Sequence, residues 1–246
     1  MEKNNKHIIT LENLKIGYKN KVLADGINLS VTEGDMLAVM GRNGSGKSTL
    51  IKTIAGLLPA LDGNIVINGK SPGKCDRTEL ALNLAVVLTE PVVTRDLTVF
   101  ETVSYGRYPH TSWLGRLGKS DVEIINSSIS DVGLDGFQQR VISSLSDGEM
   151  QRVMIAKGLA QQTPVMILDE PTAHLDLLNR LEIIELLKRL TVENGITVVF
   201  STHEIDLVRK SADKVWLFKN KGEIVCGTAV ELMENGDFIE VFGKGV

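Results

Sequence analysis

The stretch that decides the fold is Asp35–Thr49, with the sequence DMLAVMGRNGSGKST. Its first part, Asp35–Met40, is a short, largely apolar run bounded by glycines, which is typical of a buried strand. The second part, Gly41–Thr49, matches the pattern G-x-x-x-x-G-K-[S/T], and a helix is predicted from Ser48 to about Leu57. Glycines in this setting let the main chain turn its N–H groups inward around anionic oxygens. The order of strand, glycine-rich loop and helix therefore predicts a phosphate-binding loop.

Two side chains of this loop are predicted to contact the ligand or its metal ion. We expect the Lys47 amine to reach the terminal phosphates of a bound ligand, and the Ser48 hydroxyl is a hard oxygen ligand suited to Mg²⁺. The helix that begins at Ser48 would add the positive end of its dipole to the same site. The predicted phosphate-binding residues are Gly41, Arg42, Asn43, Gly44, Ser45, Gly46, Lys47, Ser48 and Thr49.

Strands and helices alternate along the rest of the chain. Two strands between His7 and Val31, joined by a turn at Lys19-Asn20, precede the loop. Further strands are predicted at Ile65–Lys70, Leu84–Leu88, Val165–Leu168 and Ile196–Phe200, with a closing hairpin at Val215–Phe218 and Ile224–Val225. Strands that alternate with helices indicate an α/β fold with a mostly parallel sheet, covered on both faces.

The pattern changes to helical spacing between about Pro91 and Gly158. Helices are predicted at Val99–Tyr105, Val122–Val132 and Glu149–Leu159, and a long amphipathic helix follows at Leu177–Val192. We therefore predict a single domain over residues 1–246. Its core comprises residues 1–90 and 160–246, and residues 91–159 form an inserted helical lobe.

Composition and charge limit the class of protein. The 246 residues include 27 Lys and Arg against 31 Asp and Glu, a net charge of −4, and 43% are hydrophobic. These values exclude a mainly disordered or collagen-like chain, and the acidic balance argues against nucleic acid as the main partner. No stretch approaches the length of a membrane span, and the polar residues Met1–His7 lack the apolar core of a signal peptide, so we expect neither; the two cysteines lie far apart. The simplest location is a reducing cytosol.

A second polar site follows another apolar strand. Val165–Leu168 runs directly into Asp169 and Glu170, at the carboxyl end of the strand, where ligands of open α/β sheets bind. Asp169 could support Mg²⁺, and Glu170 could polarise a water molecule that attacks a γ-phosphate. Without the upstream loop, the pair could equally be two solvated acids at a strand end.

The segment Leu145–Arg152, LSDGEMQR, adds a third motif between these two. In this order the three motifs resemble the ATP-binding-cassette family along essentially the whole chain. The resemblance implies a P-loop NTPase (RecA-like) core with an inserted helical subdomain and N-terminal antiparallel strands. It also implies that Ser146 and Gly148 contact the γ-phosphate of ATP. Asp147 and Glu149 replace the usual Gly and Gln of the signature, and we expect the Asp147 carboxylate to point away from the nucleotide.

Further positions match the family. The resemblance implies that Tyr18 stacks on adenine, that His203 contacts the γ-phosphate as the switch histidine, and that Ala173–Asp176 couples two subunits. Where the family has a Gln that contacts Mg²⁺, this chain has Thr89, followed by Glu90. The implied catalytic residues are Glu170 and His203. The implied Mg²⁺ ligands are Ser48, Asp169 and Thr89.

A narrower resemblance lies in Gly106–His110, GRYPH, which looks like the helical lobe of ATPases that serve iron–siderophore, haem and cobalamin importers. The ATP-binding-cassette resemblance implies an ATPase that uses ATP and Mg²⁺ and pairs head-to-tail with a second copy or a homologous subunit, and the acidic charge balance predicts no nucleic-acid partner. The resemblance also implies transmembrane permease subunits that hold the chain at the inner face of the cell membrane, and a separate substrate-binding protein. An exporter subunit, a repair- or translation-type cassette ATPase and a regulator without turnover stay open as alternatives.

Overall fold

A computed structural model describes residues 6–88, 96–112 and 115–243. Its strands are β1 (His7–Tyr18), β2 (Lys21–Thr32), β3 (Met36–Met40), β4 (Asp62–Ile67), β5 (Leu84–Val87), β6 (Val165–Leu168), β7 (Thr197–Thr202), β8 (Lys214–Phe218) and β9 (Ile224–Gly227). Its α-helices are α1 (Lys47–Ile54), α2 (Arg77–Ala81), α3 (Val99–Ser104), α4 (Lys119–Asp131), α5 (Asp147–Ala160), α6 (Leu177–Asn194), α7 (Ile205–Ser211), α8 (Ala229–Glu234) and α9 (Asp237–Phe242). Short 3₁₀ helices lie at Tyr105–His110, Ile142–Ser144 and Asn220–Gly222.

The N-terminal strands form a separate antiparallel sheet in the order β2-β1-β4. β1 and β2 pair across the turn at Lys19-Asn20, with Tyr18 opposite Lys21. This confirms the predicted pair of strands, and the buried residues of β1, such as Ile9 and Leu11, alternate with more exposed ones. The antiparallel sheet therefore has one apolar face available to pack on the rest of the chain.

The central sheet has six strands in the order β5-β6-β7-β3-β8-β9. All neighbours are parallel except β8 and β9, which form the predicted closing hairpin. Every residue of β3, β6 and β7 is buried, as expected for strands covered on both faces. The α/β fold with a mostly parallel sheet is confirmed.

The two faces of this sheet belong to two apolar cores. In β3, Met36, Ala38 and Met40 face a core built with helices α3 to α9, whereas Leu37 and Val39 face a core built with α1 and the antiparallel sheet. The alternation follows from the two-residue period of a strand. The central sheet is thus held from both sides, and its strand ends are fixed relative to one another.

The helical segment packs through a close approach of two backbones. The 3₁₀ helix Tyr105–His110 crosses α5, and a Cβ at Gly106 would clash with the carbonyl oxygen of Lys157. Next to it, the buried guanidinium of Arg107 donates hydrogen bonds to Asp121 Oδ1 (2.9 Å) and to the carbonyl oxygen of Ala160 (2.7 Å). These contacts hold the start of α4 and the end of α5 together. The domain limits given above stay a prediction.

Some helix predictions need correction. Helix α1 ends at Ile54 and not near Leu57, because Gly56 adopts a positive φ of 69° and terminates the helix. Helices α2, α7, α8 and α9 were not predicted, since five to seven residues are too few for a clear helical period. Among the described residues, no helix combines the length and apolar character needed to cross a membrane.

Candidate functional site

Two predicted motifs and the predicted switch histidine meet at one edge of the central sheet. Strands β6, β7 and β3 are adjacent and parallel, so their carboxyl ends lie side by side. The loop Gly41–Thr49 follows β3, Asp169 and Glu170 follow β6, and His203 follows β7. The topology therefore brings together segments that are far apart in the sequence.

The glycine-rich loop has a backbone that only glycine accepts readily. Gly41 has φ 148°, and a Cβ at this position would lie 2.8 Å from both the Phe218 Cβ and the Ser45 Oγ. Gly46, which precedes α1, has φ 116°. Ser45 Oγ is buried and has no hydrogen-bond partner among the described residues. A buried hydroxyl without a partner, next to the start of α1, fits an anion-binding loop.

Lys47 is folded back into this loop. Its side chain is 4% exposed, and Nζ donates hydrogen bonds to the carbonyl oxygens of Gly41 (3.0 Å) and Arg42 (3.3 Å). Nζ also lies 3.9 Å from Glu170 Oε1. Burial lowers the pKa of Lys47, and the carboxylates of Glu170 and Asp169 oppose this effect. The amine is thus a nearly buried donor, held between the loop and the acidic strand end.

Asp169 is the centre of a chain of hydrogen bonds. Its Oδ1 accepts one from Ser48 Oγ (3.0 Å) and one from Ser201 Oγ (2.6 Å). The same Ser201 hydroxyl oxygen accepts a hydrogen bond from the main-chain N–H of Glu170 (2.8 Å). Ser201, in β7, therefore fixes both acids at the end of β6. It carries no sequence signal beyond a small polar residue near a strand end, and sequence reasoning gave it no role.

Glu170 adopts an uncommon backbone conformation. Its φ is 46°, in the left-handed region that residues other than glycine seldom occupy. The N–H bond to Ser201 and the hydrogen bond from Ala173 N to its carbonyl oxygen (3.0 Å) hold it there. Its side chain is 31% exposed, so the carboxylate can contact a ligand from solvent. Strained residues of this kind cluster at functional sites.

A cavity of about 450 Å³ lies over the loop. Its walls include Tyr18, which is 55% exposed at the end of β1, together with the loop and Glu170. The predicted residues that line it are Tyr18, Asn43, Gly44, Gly46, Lys47, Ser48, Thr49 and Glu170. Arg42 and Ser45 line a neighbouring cavity of about 400 Å³ with Lys219, and Gly41 is buried. A larger cavity of about 680 Å³ lies at the opposite edge of the sheet and contains none of the predicted site residues.

The third motif lies at the N-terminus of α5. Ser146 caps this helix: its Oγ accepts a hydrogen bond from Glu149 N (3.3 Å), and Glu149 Oε2 accepts one from Ser146 N (2.8 Å). Gly148 packs so closely on Asn179 that a Cβ would lie 2.6 Å from Asn179 Oδ1. Among the described residues, neither Ser146 nor Gly148 lines the cavity over the loop. Glu149, which replaces the usual Gln of the signature, thus completes a capping box with Ser146.

Two further predicted site residues are His203 and Thr89. His203 is exposed directly after β7. Thr89, the proposed substitute for a Mg²⁺-contacting Gln, lies outside the described residues, so its assignment stays a prediction. Ser48 and Asp169 are therefore the two predicted metal ligands that the structure brings together, and both offer hard oxygen atoms.

Comparisons with known proteins agree on one family. The family model described as ABC transporter matches residues 24–173. An uncharacterized ABC transporter ATP-binding protein of Methanocaldococcus jannaschii is 39% identical over 96% of this chain and 85% of its own length. The iron(3+)-hydroxamate import ATP-binding protein FhuC of Bacillus subtilis is 37% identical over 95% and 87%. The petrobactin import ATP-binding protein FpuC of Bacillus anthracis is 36% identical over 96% and 87%.

Solved structures agree with this similarity. A metal-chelate type ABC transporter in an inward-facing conformation has a TM-score of 0.85 at 26% identity, over 96% of this chain and 89% of that chain. A dimeric ATP-binding cassette in a post-hydrolysis state, bound to ADP and Pi, has a TM-score of 0.76 at 28% identity, over 90% and 98%. The chain therefore belongs to the ABC transporter family, whose ATP-binding subunits hydrolyse ATP to drive transport.

Proposed function

We propose that this chain is the ATP-hydrolysing subunit of an importer, and that separate membrane subunits carry an iron chelate, haem or cobalamin. The class of cargo is inferred from relatives that are similar over almost the whole chain and are named for iron(3+)-hydroxamate and petrobactin import. The metal-chelate type transporter among the similar structures supports the same class. An iron chelate is the cargo that we favour within this class.

In this proposal the phosphates of ATP lie along Gly41–Thr49, and the adenine stacks on Tyr18. The buried Ser45 hydroxyl, which has no hydrogen-bond partner in the described part of the chain, and the positive end of α1 favour an anion at the loop. The Lys47 amine would leave its main-chain partners and turn to the phosphate oxygens. Tyr18 is exposed in the wall of the same cavity, which supports a stacking role.

We propose that Mg²⁺ is held by Ser48 and Asp169, with Thr89 as a third contact. Mg²⁺ in phosphate-processing sites typically binds one or two protein oxygens together with water and substrate phosphates. The side-by-side oxygens of Ser48 and Asp169 fit that requirement. When bound, the ion supplies charge neutralisation for phosphate oxygens.

For hydrolysis, we propose that Glu170 accepts a proton from the attacking water, which forms a bond to the γ-phosphorus as the bond to ADP breaks. The 31% exposure of Glu170 and its fixed backbone suit this role. His203 would donate a hydrogen bond to the γ-phosphate. Positioning and charge compensation, without a covalent intermediate, account for the rate.

The site is incomplete in one copy under this proposal. Ser146 and Gly148 of a second copy, or of a homologous subunit, would close the cavity over the γ-phosphate in a head-to-tail pair. Their absence from the cavity walls among the described residues supports this arrangement. The closed pair and the open pair would differ in their affinities for ATP and for ADP. That difference in affinity would drive movement of the attached membrane subunits.

The partners outside the pair are also part of the proposal. We propose that permease subunits hold the chain at the inner face of the cell membrane and that a separate binding protein delivers the cargo. No nucleic acid is involved. An exporter subunit or a repair- or translation-type cassette ATPase is the alternative. A repair- or translation-type ATPase would show a rate that rises with DNA or ribosomes.

The experiment that tests cargo and direction uses cells that express this chain with its cognate membrane subunits. Uptake of a radiolabelled ferric hydroxamate, haem and cobalamin is compared between the natural chain and Lys47→Ala. We expect uptake of the iron chelate to depend on Lys47. Export of any of these compounds, or uptake of none, would contradict the proposal.

A further inference from the structure

One carboxylate ties the segment that carries His203 to the segment that follows Glu170. Glu204 Oε1 accepts a hydrogen bond from Thr172 Oγ1 (3.1 Å), and Glu204 Oε2 accepts one from Arg180 Nη1 (3.0 Å). The side chains of Arg180 and Glu204 are 35% and 19% exposed. The pair is therefore partly shielded from water, where an ion pair is less screened than at an open surface.

The Arg180 side chain is fixed at a second point. Its Nε donates a hydrogen bond to the carbonyl oxygen of Leu175 (2.6 Å), in the loop before α6. The same loop ends at Asp176, whose Oδ1 accepts a hydrogen bond from Asn179 N (2.9 Å) and caps α6. Arg180 thus joins the loop Thr172–Asp176 to Glu204 through one planar guanidinium.

Glu204 is also held from the strand side. Its main-chain N–H donates a hydrogen bond to Thr202 Oγ1 (3.1 Å), at the last residue of β7. His203 lies between these two residues. Its backbone is therefore bracketed by β7 on one side and by the contacts of Glu204 with Thr172 and Arg180 on the other.

We infer that Arg180 and Glu204 are positioning residues for ATP hydrolysis, which keep His203 and the loop Thr172–Asp176 in one fixed arrangement. The inference rests on the proposed contact of His203 with the γ-phosphate. The pair acts through His203 and the loop, and neither of its side chains lines the cavity over Gly41–Thr49 among the described residues. Losing the pair should therefore lower turnover and leave ATP binding nearly unchanged.

The variants are Arg180→Gln, Glu204→Gln and the double variant, in the full chain. The matched control is Lys188→Gln. Lys188 is on the same helix, its side chain is also 35% exposed, and its ion pair with Asp213 (3.0 Å) lies at the opposite edge of the sheet. For each protein, kcat and KM for ATP are measured, together with the unfolding midpoint and the affinity for a fluorescent ATP analogue.

We expect kcat to fall about tenfold to a hundredfold in each single variant, since small displacements of reacting groups have costs of this size. KM should stay within about twofold of the natural value, which marks a loss in the transition state and not in binding. The double variant should lose less than the product of the two single losses, because both changes break the same contact between Arg180 and Glu204. Arg180→Lys, which keeps the charge, should recover part of kcat.

Three outcomes would overturn the inference. The first outcome is that both single variants have the same kcat as Lys188→Gln, whereas His203→Ala loses turnover. This result would reject the role of the Arg180–Glu204 pair and leave the proposed function intact. The second is a double variant whose losses multiply. The third is normal turnover in His203→Ala, which would overturn the proposed role of His203 and this inference together.

Discussion

Ser48 Oγ lies 3.0 Å from Asp169 Oδ1, although the two residues are 121 positions apart in the sequence. The contact follows from the sheet order, because β3 and β6 flank β7 in parallel and end at the same edge. Ser48 belongs to the phosphate-binding loop and Asp169 to the acidic strand end. Their hydrogen bond joins the two motifs that the proposed Mg²⁺ site requires.

Ser201 should matter to turnover although it is not expected to touch ATP. In Ser201→Ala, Asp169 has one hydrogen-bond donor fewer and Glu170 N loses its acceptor, and leaving a buried group unsatisfied costs about 1–3 kcal/mol. We expect kcat to fall by about tenfold or more, with KM nearly constant. The control is Ser211→Ala, another buried serine, whose hydroxyl donates only to the carbonyl oxygen of Leu207 among the contacts described. Equal kcat in the two variants would contradict the prediction.

The affinity for ATP should fall at alkaline pH because of Lys47. Burial lowers the pKa of Lys47 below its ordinary value of 10.5, and only the protonated amine attracts phosphate. Affinity should be constant near neutral pH and should decline as the pH rises through this lowered pKa. Calorimetry in buffers of different ionisation enthalpy should detect proton uptake on binding in that range. Lys47→Ala should bind weakly at every pH, and an equal alkaline decline in that variant would assign the effect to another group.

Glu149 should stabilise α5 at the expense of the anion site at its N-terminus. Hydrogen bonds from Ser146 N–H and Oγ lower the pKa of Glu149. The stabilisation is therefore present above the ordinary value of 4.5 and is lost as the pH falls through the lowered pKa. Glu149→Gln should lower stability by about 0.3–1 kcal/mol near neutral pH and strengthen ATP-dependent pairing, because one negative charge leaves the phosphate contact.

The measurements for Glu149→Gln are chemical unfolding at several pH values and sedimentation with ATP. The difference in stability from the natural chain should disappear in acid. A difference that persists after Glu149 is protonated, or weaker pairing in the variant, would disagree with this view.

Gly106→Ala should destabilise the helical segment, since the added methyl would clash with the carbonyl oxygen of Lys157 and backbone must shift. Overpacking of this kind costs about 1–3 kcal/mol. Gly73→Ala is the control, because a Cβ there meets nothing within 4 Å and its φ is ordinary. Thermal unfolding should separate the two variants. Identical midpoints would mean that the two backbones are not in close contact.

Much of the site could be predicted because its motifs are continuous in the sequence. Gly41–Thr49 lies between a strand and a helix, and Asp169-Glu170 ends a strand, so each motif carries its own local context. The carboxyl ends of parallel strands then meet at one edge, which is a general property of the fold. Local pattern and sheet topology together were enough to bring these residues to one place.

Other features depend on contacts that leave no local pattern. Ser201 is an ordinary residue of β7 until its hydroxyl meets Asp169, and Arg180 is one of several charged residues on α6 until it meets Glu204. The helices α8 and α9 are too short to show a helical period. Long-range hydrogen bonds of this kind become visible only when the chain is folded.

In the proposed mechanism, one copy provides only part of the ATP site. Sedimentation of Glu170→Gln, which should bind ATP without hydrolysing it, tests whether a second copy completes the site. With ATP and Mg²⁺ we expect a dimer of twice the 26.9 kDa chain, and with ADP a monomer. Adding Ser146→Arg should abolish the dimer while ATP still binds. Two results together would contradict a shared site: Glu170→Gln stays monomeric when it is saturated with ATP, and the natural chain hydrolyses ATP as a monomer.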